Sequence, residues 1–542
     1  MKKLFVIAAI VVATMPVAAQ ETYENAKIAQ EDLNGTARYV GMGGAMEALG
    51  ADISTIGSNP AGIGMFRHSN VSLSLGLVSQ GGATNAVGGS TTNASFDQMG
   101  FVYSYRSGKT SFINVAVNYH KSRNFDMILS AANQFLPLNE ESKHGNASLN
   151  KLTWAKGNLD YVYEAKSELQ PDGTTIDVPN FKAPYITCSQ LDDLFGYNLN
   201  WDDVNKSWDY INADNFRFDR AHEGYIGEYD FNVSGNINNR IYLGLTVGIH
   251  DVHYKHYSEY VEQMPDFLCT VGDRREITGT GIDVKAGVIL RPIESSPFRI
   301  GLSIASPTFY ELKTANYSFI YDGYNRFDSG SIMDARDRTN YKFRLYTPWK
   351  FGVSLGHTIG SQVALGASYE YADYGSMDSR YITGEYYNEW SDSYSSNSES
   401  DRVMNDHTAK TLKGVHTLKL GAEIKPDKNF ALRVGYNYVS PMYQKEGFKD
   451  GTLNSDGSYV SSATDYTNWE ATNRFTCGFG YTFDKFNASL AYQYSTTKGT
   501  FSPFMSYYDH PDGTPSPADC IAPQVSVENK RHQVLLTLGY TF

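Results

Sequence analysis

The last eleven residues of this chain, 532–542, constrain its fold more than any other stretch. Apolar side chains occupy every second position up to the terminal Phe, and small or polar side chains occupy most positions between them. The apolar set is Val534, Leu536, Leu538, Tyr540 and Phe542. A strand with lipid on one face and a wet lumen on the other requires this alternation. The C-terminus therefore predicts the final strand of a bacterial outer-membrane β-barrel.

The N-terminus indicates export from the cytoplasm. Lys2 and Lys3 precede an apolar run over residues 4–17, and Val17-Ala18-Ala19 supplies small residues for cleavage. This order is that of a secretory signal peptide, which we place at residues 1–19. An exported chain that ends in such a strand is expected to be an integral protein of the outer membrane.

Composition narrows the class of protein further. The mean hydropathy is −0.40, and beyond the signal peptide no apolar run approaches the roughly 20 residues of a membrane helix. Aromatic residues make up 14% of the chain and include 40 Tyr, a side chain that suits a membrane–water interface. The net charge of −13 argues against nucleic acid, which needs a basic surface. We expect contact with outer-membrane lipid and lipopolysaccharide instead.

Segments of period two recur along the chain after residue 69, and we count fourteen of them. In the clearest one, Leu243 and Leu245 belong to a set of alternating apolar residues that we expect to face lipid. An even number of strands closes a single-chain barrel with both chain ends on the periplasmic side. The predicted strands are residues 70–80, 97–106, 110–121, 223–237, 240–254, 275–292, 297–305, 341–356, 362–374, 411–424, 429–440, 469–482, 486–497 and 529–542.

The connections between these segments alternate between short and long. Tight turns such as Asn238-Asn239 and Asp484 belong at the periplasmic end of a barrel, and long connections belong outside the cell. The longest connection, 122–222, exceeds the length of a simple loop, so we expect a helical or mixed cap over the barrel mouth. The predicted organisation is a signal peptide at 1–19, a lumen segment at 20–69 and a fourteen-stranded antiparallel barrel at 70–542.

The four cysteines do not form a CxxC motif, which argues against a zinc or redox site. Cys477 alternates with Phe475 and Phe479, so its side chain should face lipid. Cys188, Cys269 and Cys520 fall in predicted outer loops, where at most one disulfide is expected and the pair stays open.

Residues 20–69 do not alternate and are rich in Gly and Ala, which suits a compact plug, or hatch, packed inside the lumen from the periplasmic side. The segment carries Gly41-Met42-Gly43-Gly44-Ala45, then Asp52, then Asn59-Pro60-Ala61-Gly62 directly before the first strand. Together with fourteen strands and Thr347-Pro348-Trp349 at the start of strand eight, this motif resembles the FadL/TodX family of outer-membrane transport proteins. A dinucleotide-binding site is disfavoured, because the glycines lack the required strand and helix on either side.

The resemblance implies a channel for passive uptake of a hydrophobic or amphipathic small molecule, fatty-acid-like or aromatic. The ligand would be caught under the outer loops and would pass when the hatch moves. Replacing Gly43 or Gly62 by a bulky residue should then loosen the hatch without unfolding the barrel. The residues expected to seat and gate the hatch are Gly41, Gly43, Gly44, Asn59, Pro60 and Gly62.

Charged side chains of both signs recur at positions predicted to face the lumen, so most of them should pair with one another and with the hatch. Four arginines are candidates for this lumen network or for contact with the head group of an amphipathic ligand. They are Arg299, Arg344, Arg433 and Arg474.

Three histidines lie near the outer end of the fifth strand. His250 and His256 would share a face roughly 20 Å apart, and His253 would point away, which disfavours a metal or haem site and favours an interfacial cluster. No Ser-His-Asp or paired-carboxylate motif has a defined context. We therefore predict no catalytic residue, no enzymatic activity, no resident metal and no cofactor.

Two alternatives to transport stay open. The barrel would serve as a non-transporting partner in an outer-membrane assembly or secretion complex, with the cap and a Tyr-rich outer loop as docking surface. A haem-binding receptor is the second alternative. An apolar pocket between cap and hatch would favour transport, whereas a stoichiometric complex with other envelope proteins would favour the partner role.

Overall fold

The computed structural model describes residues 21–542 except 85, 138–143, 156–163, 170–174, 181–199, 203–206, 322, 324–325, 329–339, 389–392, 451–452, 454–462 and 511. Its helices are α1 (Thr22–Ala29), α2 (Ala37–Gly41), α3 (Leu149–Ala155) and α4 (Arg402–Thr411), and short 3₁₀ helices span Ile53–Gly57, Pro60–Met65 and Tyr374–Ser376. Within these ranges, no helix has the length and apolar character needed to cross a membrane.

The first twelve strands are β1 (Asn70–Gly81), β2 (Thr92–Arg106), β3 (Phe112–Asn124), β4 (Met127–Gln134), β5 (Glu164–Leu169), β6 (Thr175–Asn180), β7 (Asn200–Asp202), β8 (Ser207–Asp209), β9 (Asn215–Ile237), β10 (Ile241–Gln263), β11 (Leu268–Leu290) and β12 (Arg299–Ala305). The other twelve are β13 (Phe309–Tyr321), β14 (Arg326–Asp328), β15 (Asn340–Tyr346), β16 (Lys350–Ile359), β17 (Val363–Asp373), β18 (Asp378–Asn388), β19 (Ser393–Ser400), β20 (Gly414–Ile424), β21 (Phe430–Val439), β22 (Tyr466–Phe483), β23 (Phe486–Ser502) and β24 (Val525–Thr541).

Fourteen strands form a closed antiparallel ring, as the sequence predicts. Each strand pairs with its neighbour in the order β1, β2, β3, β9, β10, β11, β12, β16, β17, β20, β21, β22, β23 and β24. The last strand returns to the first over twelve pairs, from Asn70 opposite Thr541 to Gly81 opposite Lys530. Closure leaves no unpaired strand edge, which a sheet in lipid requires because no water can satisfy its backbone groups.

Apolar side chains cover the outer face of this ring and polar ones fill its inner face. Leu243 and Leu245 of β10 are 48% and 53% exposed, whereas Thr246, which faces inward on the same strand, is fully buried. Cys477 is exposed on the outer face, as predicted. An apolar belt around a closed barrel with an even strand number is the mark of an integral outer-membrane protein.

The strands continue well beyond the lipid at the outer end, further than their sequence pattern indicates. β10 has 23 residues, about twice the 9–11 that a tilted strand needs to cross the hydrocarbon. The predicted connection 255–274 is in fact reduced to the four residues between β10 and β11. Outside the lipid the outer face need not be apolar, so the alternation fades although the hydrogen-bonded ladder continues.

Two prolines divide strands at the level where the barrel leaves the membrane. Pro307 separates β12 from β13, and Pro348 separates β15 from β16. The two breaks face each other, since the backbone N–H of Thr308 donates to Thr347 Oγ1 at 2.8 Å. A proline cannot donate to the ladder, so each break is placed where pairing can be interrupted. The predicted continuous strand 341–356 is therefore wrong.

The region 122–222 is only partly a cap. β4 and the first part of β9 pair with each other as an outward continuation of the barrel, from Met127 opposite His222 to Gln134 opposite Asn215. The remaining described parts are mixed, as expected, with α3 and the hairpins β5–β6 and β7–β8. Cys188 and the apolar cluster 191–195 lie outside the described residues, so the choice of a disulfide stays a prediction.

The hatch, residues 21–66, occupies the lumen over its whole height and not only its periplasmic side. At the periplasmic end, Asn114 Nδ2 donates to the carbonyl oxygens of Ile63 and Phe66 at 2.7 and 3.1 Å. At the outer end, Thr22 Oγ1 of α1 lies 2.8 Å from His407 Nδ1 of α4. The chain thus enters the barrel wall only after running from the outer loops down to the periplasmic turns.

Candidate functional site

The middle of the hatch rests against a row of wall glycines that face the lumen. Gly356, Gly366, Gly421 and Gly435 lie directly opposite one another across four successive strands. A side chain on any of the last three would collide with the hatch backbone: at Gly366 with Ala45, at Gly421 with Met42 and at Gly435 with Gly43. Only glycine allows two backbones to approach this closely.

The glycines of the hatch meet this row from the other side. Gly43 and Gly44 have φ values of 64° and 81°, in the left-handed region that favours glycine. A Cβ on Gly43 would lie 2.8 Å from the backbone N of Tyr436, and one on Gly41 would lie 3.3 Å from Gly478 Cα. The predicted hatch glycines and the wall glycines therefore form one contact surface.

The Asn59-Pro60-Ala61-Gly62 motif builds the lower end of the hatch. The Asn59 side chain is fully buried, and its Oδ1 accepts from the backbone N–H of Ala61 at 3.2 Å, which caps the following 3₁₀ helix. Gly244 and Gly287 of the wall leave room for Pro60 and Asn59 respectively. A Cβ on Gly62 would lie 2.5 Å from Thr55 Oγ1, so this glycine is required for packing within the hatch.

Ion pairs join the hatch to the wall at three heights. Arg38 and Arg433 both bind the carboxylate of Glu423, at 3.0 and 2.7 Å. Higher in the lumen, Lys419 Nζ lies 2.6 Å from Glu47 Oε1. The third contact joins Lys350 to Glu31. Hatch charges are thus matched by wall charges of opposite sign.

A cavity of about 270 Å³ lies between hatch residues 27–34 and the wall. Its lower wall is charged and includes Lys350, Glu370 and Lys419, whereas aromatic residues such as Phe125, Tyr374 and Trp469 line its upper part. The sequence predicts an apolar pocket under the cap, but among the described residues the cavity is amphipathic. Small cavities of this kind suit a ligand with one polar and one apolar end.

Three arginines converge on one hatch carboxylate at the edge of this cavity. Asp32 Oδ1 lies 3.0 Å from Arg123 Nη1 and 3.7 Å from Arg474 Nη2, and Asp32 Oδ2 lies 3.7 Å from Arg531 Nη1. The backbone N–H of Asn124 also donates to Asp32 Oδ2 at 3.0 Å. We refer to Arg123, Arg474 and Arg531 as the arginine triad.

The four arginines expected at the site lie in different places. Arg474 lines the cavity. Arg433 pairs with Glu423 beside the glycine row, and Arg299 Nη1 donates to the carbonyl oxygen of Leu49 at 3.1 Å, so neither reaches the cavity. The sequence predicts that Arg344 lies in the lumen, and this prediction is wrong. The Arg344 side chain faces outward and contacts Glu311, Ser396 and Ser398 on the outer sheet.

Two members of the triad are absent from the sequence-based candidates. Arg531 alternates with the lipid-facing residues of β24, so the period-two pattern already places it in the lumen. Arg123 has no such signal, because a register shift between Lys121 and Arg123 against β9 changes which face it occupies. A β-bulge of this kind redirects a side chain without leaving a mark in the hydrophobic pattern.

Two of the three expected interfacial histidines belong to the buried lumen. His250 and His256 are 1% and 2% exposed and bind Asp283 and Asp273, whereas His253 points outward. The prediction of an interfacial cluster is wrong for the first two. Inward-facing positions above the membrane remain enclosed because the strands extend so far.

A dense ionic cluster surrounds Lys285 in the lumen wall. Its ammonium contacts Glu228, and lies 3.5 Å from Asp230 and 3.3 Å from Asp283. With two histidines, these carboxylates form the groups His120, Glu228, Asp230 and Glu228, His250, Asp283, each compact enough for a metal ion. Lys285 already supplies positive charge to both groups, so we interpret the cluster as an ion-pair network in the wall.

Acid should weaken the contact between Asp32 and the arginine triad. Burial raises the pKa of Asp32, but Arg123, Arg531 and Arg474 outweigh this effect and lower the pKa from 3.8 to about 2. A lowered pKa contributes stability that is complete above pH 3.8 and is lost as the pH falls through about 2. The shift corresponds to about 2 kcal/mol at neutral pH.

The measurement is hydrogen exchange of residues 21–34 in the parent protein and in Asp32→Asn, compared at equal pH. We expect the parent to be better protected at pH 5, and the difference to become small as the pH falls to about 2. Equal protection of the two proteins at pH 5 would show that the contact does not hold this segment.

No protein-family model matches the chain. No curated protein matches it either. Among solved structures, a FadL homologue from Pseudomonas aeruginosa is similar, with a TM-score of 0.50 and 12% sequence identity over 95% of this chain and 100% of that one. For the toluene transporter TbuX of Ralstonia pickettii, the TM-score is 0.46 and the sequence identity is 10%, over 94% of this chain and 99% of that one. For the toluene transporter TodX of Pseudomonas putida, the TM-score is 0.45 and the sequence identity is 11%, over 95% of this chain and 100% of that one.

At 12% identity, the similarity to the Pseudomonas aeruginosa protein concerns the fold alone. The similarity spans both chains almost completely. This protein therefore has a FadL-like fold, a fourteen-stranded outer-membrane barrel with its own N-terminal segment in the lumen.

Proposed function

We propose that this protein is an outer-membrane channel for passive uptake of hydrophobic or amphipathic small molecules, gated by the hatch. The observation that carries the proposal is the amphipathic cavity between the hatch and the wall. It lies above the glycine row, where the hatch fills the lumen, and below the outer loops. A solute that reaches the cavity can go further only if the hatch moves.

The lining supports an amphipathic ligand over a purely apolar one. Phe125, Tyr374 and Trp469 offer apolar surface to a hydrocarbon chain or ring. Arg474 and the other two members of the triad offer guanidinium groups to a carboxylate or a similar anionic head group. An apolar solute needs such a route because the polar lipopolysaccharide layer excludes it.

Uptake of radiolabelled compounds by a deletion strain, with and without the gene restored, tests the proposal. A panel should contain fatty acids of several chain lengths and neutral aromatic compounds. We expect the deletion to reduce uptake of amphipathic acids several-fold and the restored gene to return it. Unchanged uptake across the panel would contradict transport of these compounds. Extraction in mild detergent as a stoichiometric complex with other envelope proteins would instead favour the partner role.

A further inference from the structure

The hatch has two parts that are held by different kinds of contact. Residues 37–66, the plug, rest on the glycine row through close backbone packing. Residues 21–34, the latch, combine buried apolar side chains of α1, such as Tyr23 and Ile28, with polar contacts to the wall and the outer loops, among them Asp32 in the arginine triad and Thr22 against α4. Gly35, with a φ of 138°, joins the two parts in a conformation that favours glycine.

The arginine triad carries more positive charge than the latch neutralises. Asp32 is the one carboxylate within 4.0 Å of these guanidinium groups among the described residues. The Nε atoms of Arg123 and Arg531 are buried and have no hydrogen-bond partner in the same part of the chain. Three guanidinium groups share this single carboxylate and are 10–19% exposed, so an additional anion in the cavity could reach them and balance their charge. The triad thus has unused capacity for an anion, directly beside the cavity.

Asp32 has the same chemistry as the ligand head group that such a site would bind. Its carboxylate is 18% exposed, so solvent or a ligand in the cavity can reach it. Two anions cannot both take the best position among the three guanidinium groups without repelling each other. Binding of one therefore weakens binding of the other, and the two sites are thermodynamically coupled.

We infer that Asp32 is an internal competitor for the arginine triad, and that the anionic head group of an amphipathic ligand displaces it and releases the latch. This inference rests on the proposed function. The plug keeps its backbone contacts with the glycine row at this stage, so latch release precedes any movement of the plug. A ligand without negative charge has no means of displacing Asp32 and leaves the latch in place.

Octanoate and 1-octanol are suitable probes because they share a chain length and differ in charge. We expect calorimetric titration of the full chain to give tighter octanoate binding to Asp32→Asn than to the parent, by roughly ten- to a hundredfold, the range for hydrogen bonds to a charged group. Arg474→Gln added to Asp32→Asn should reverse most of this gain. Binding of 1-octanol should be the same in all three proteins.

Glu370→Gln is the matched control, since Glu370 also lines the cavity but pairs with Lys419 and not with the triad. It should leave octanoate affinity close to that of the parent. An equal affinity for octanoate in the parent and in Asp32→Asn would overturn the inference. An equal gain in Glu370→Gln would do the same, because general charge repulsion would then explain the effect.

A second measurement uses the unaltered protein. Octanoate should speed hydrogen exchange in residues 21–34 and leave residues 37–66 unchanged, and 1-octanol should change neither. Equal exchange of the latch with and without saturating octanoate would contradict displacement. These results are independent of uptake: a strain that takes up octanoate while Asp32→Asn leaves its affinity unchanged would retain the channel and refute the competitor. A gain in octanoate affinity in Asp32→Asn without octanoate uptake by the strain would support the competitor and contradict the channel.

Discussion

Gly435→Leu should open the barrel to small ions without unfolding it. A side chain at this position would overlap the backbone of Gly43, which is rigid and cannot turn away as a flexible side chain could. Overpacking of this kind costs about 1–3 kcal/mol, so the ratio of unseated to seated hatch should rise roughly 5- to 150-fold. The barrel itself is held by closed ladders that this substitution does not touch. Conductance of single channels in planar bilayers measures the opening.

Gly235→Leu is the control for this substitution. Gly235 also lies in a membrane strand, opposite Leu243 and Ile113, but a Cβ there would have no atom within 4 Å. It should conduct like the parent protein. Gly43→Trp approaches the same contact from the hatch side and should leak like Gly435→Leu. Sealed traces from both variants, identical to the parent, would refute the assignment of residues 21–66 as a hatch.

The fold of the membrane part could be predicted because lipid imposes a strict rule on each residue. Side chains that face lipid must be apolar, so the spacing alone correctly predicts that Leu243, Leu245 and Cys477 face outward. Turns were equally predictable where the backbone is unusual: Asn238, Asn239 and Asp484 all have φ values of 52° to 54°. Asn and Asp tolerate this left-handed conformation better than most residues, and such turns match the twist of paired strands.

The requirement for apolar outward side chains ends where the strands leave the lipid, and the wrong predictions concern residues beyond that level. The alternation predicts Arg344 on the lumen face only if the strand continues through residue 356. The break at Pro348 shifts the alternation by one residue. Odd-numbered residues such as Phe343 and Leu345 face inward in β15, whereas the even-numbered Lys350 faces inward in β16. The register shift at Arg123 has the same consequence. The proline marks the first interruption in the sequence, whereas the register shift leaves no mark in the hydrophobic period.

The site is harder to predict, because it depends on which lumen residues lie at the same level along the barrel axis. Gly366, Gly421 and Gly435 are recognisable as lumen positions, but only the strand register shows that they are level with one another. Asp32 lies in a segment without any period, and its three arginines come from strands far apart in the chain. Sequence spacing therefore identifies lumen residues and leaves their partners open.

Lys285→Met should destabilise the barrel more than any substitution on its outer surface. The ammonium of Lys285 is the shared partner of Glu228, Asp230 and Asp283, all of which are at most 3% exposed. Removing one member of a buried ionic group leaves the others uncompensated and costs about 3–5 kcal/mol. We expect the free energy of unfolding to fall by this amount in a urea titration in detergent.

Two further variants separate the loss of charge from the loss of packing. Lys255→Met changes a lysine of β10 that is 56% exposed and 3.9 Å from Glu276, and it should cost less than about 1 kcal/mol. Adding Glu228→Gln to Lys285→Met removes one of the uncompensated carboxylates, so it should recover part of the lost stability. Equal unfolding midpoints for Lys285→Met and Lys255→Met would contradict a structural role for the cluster.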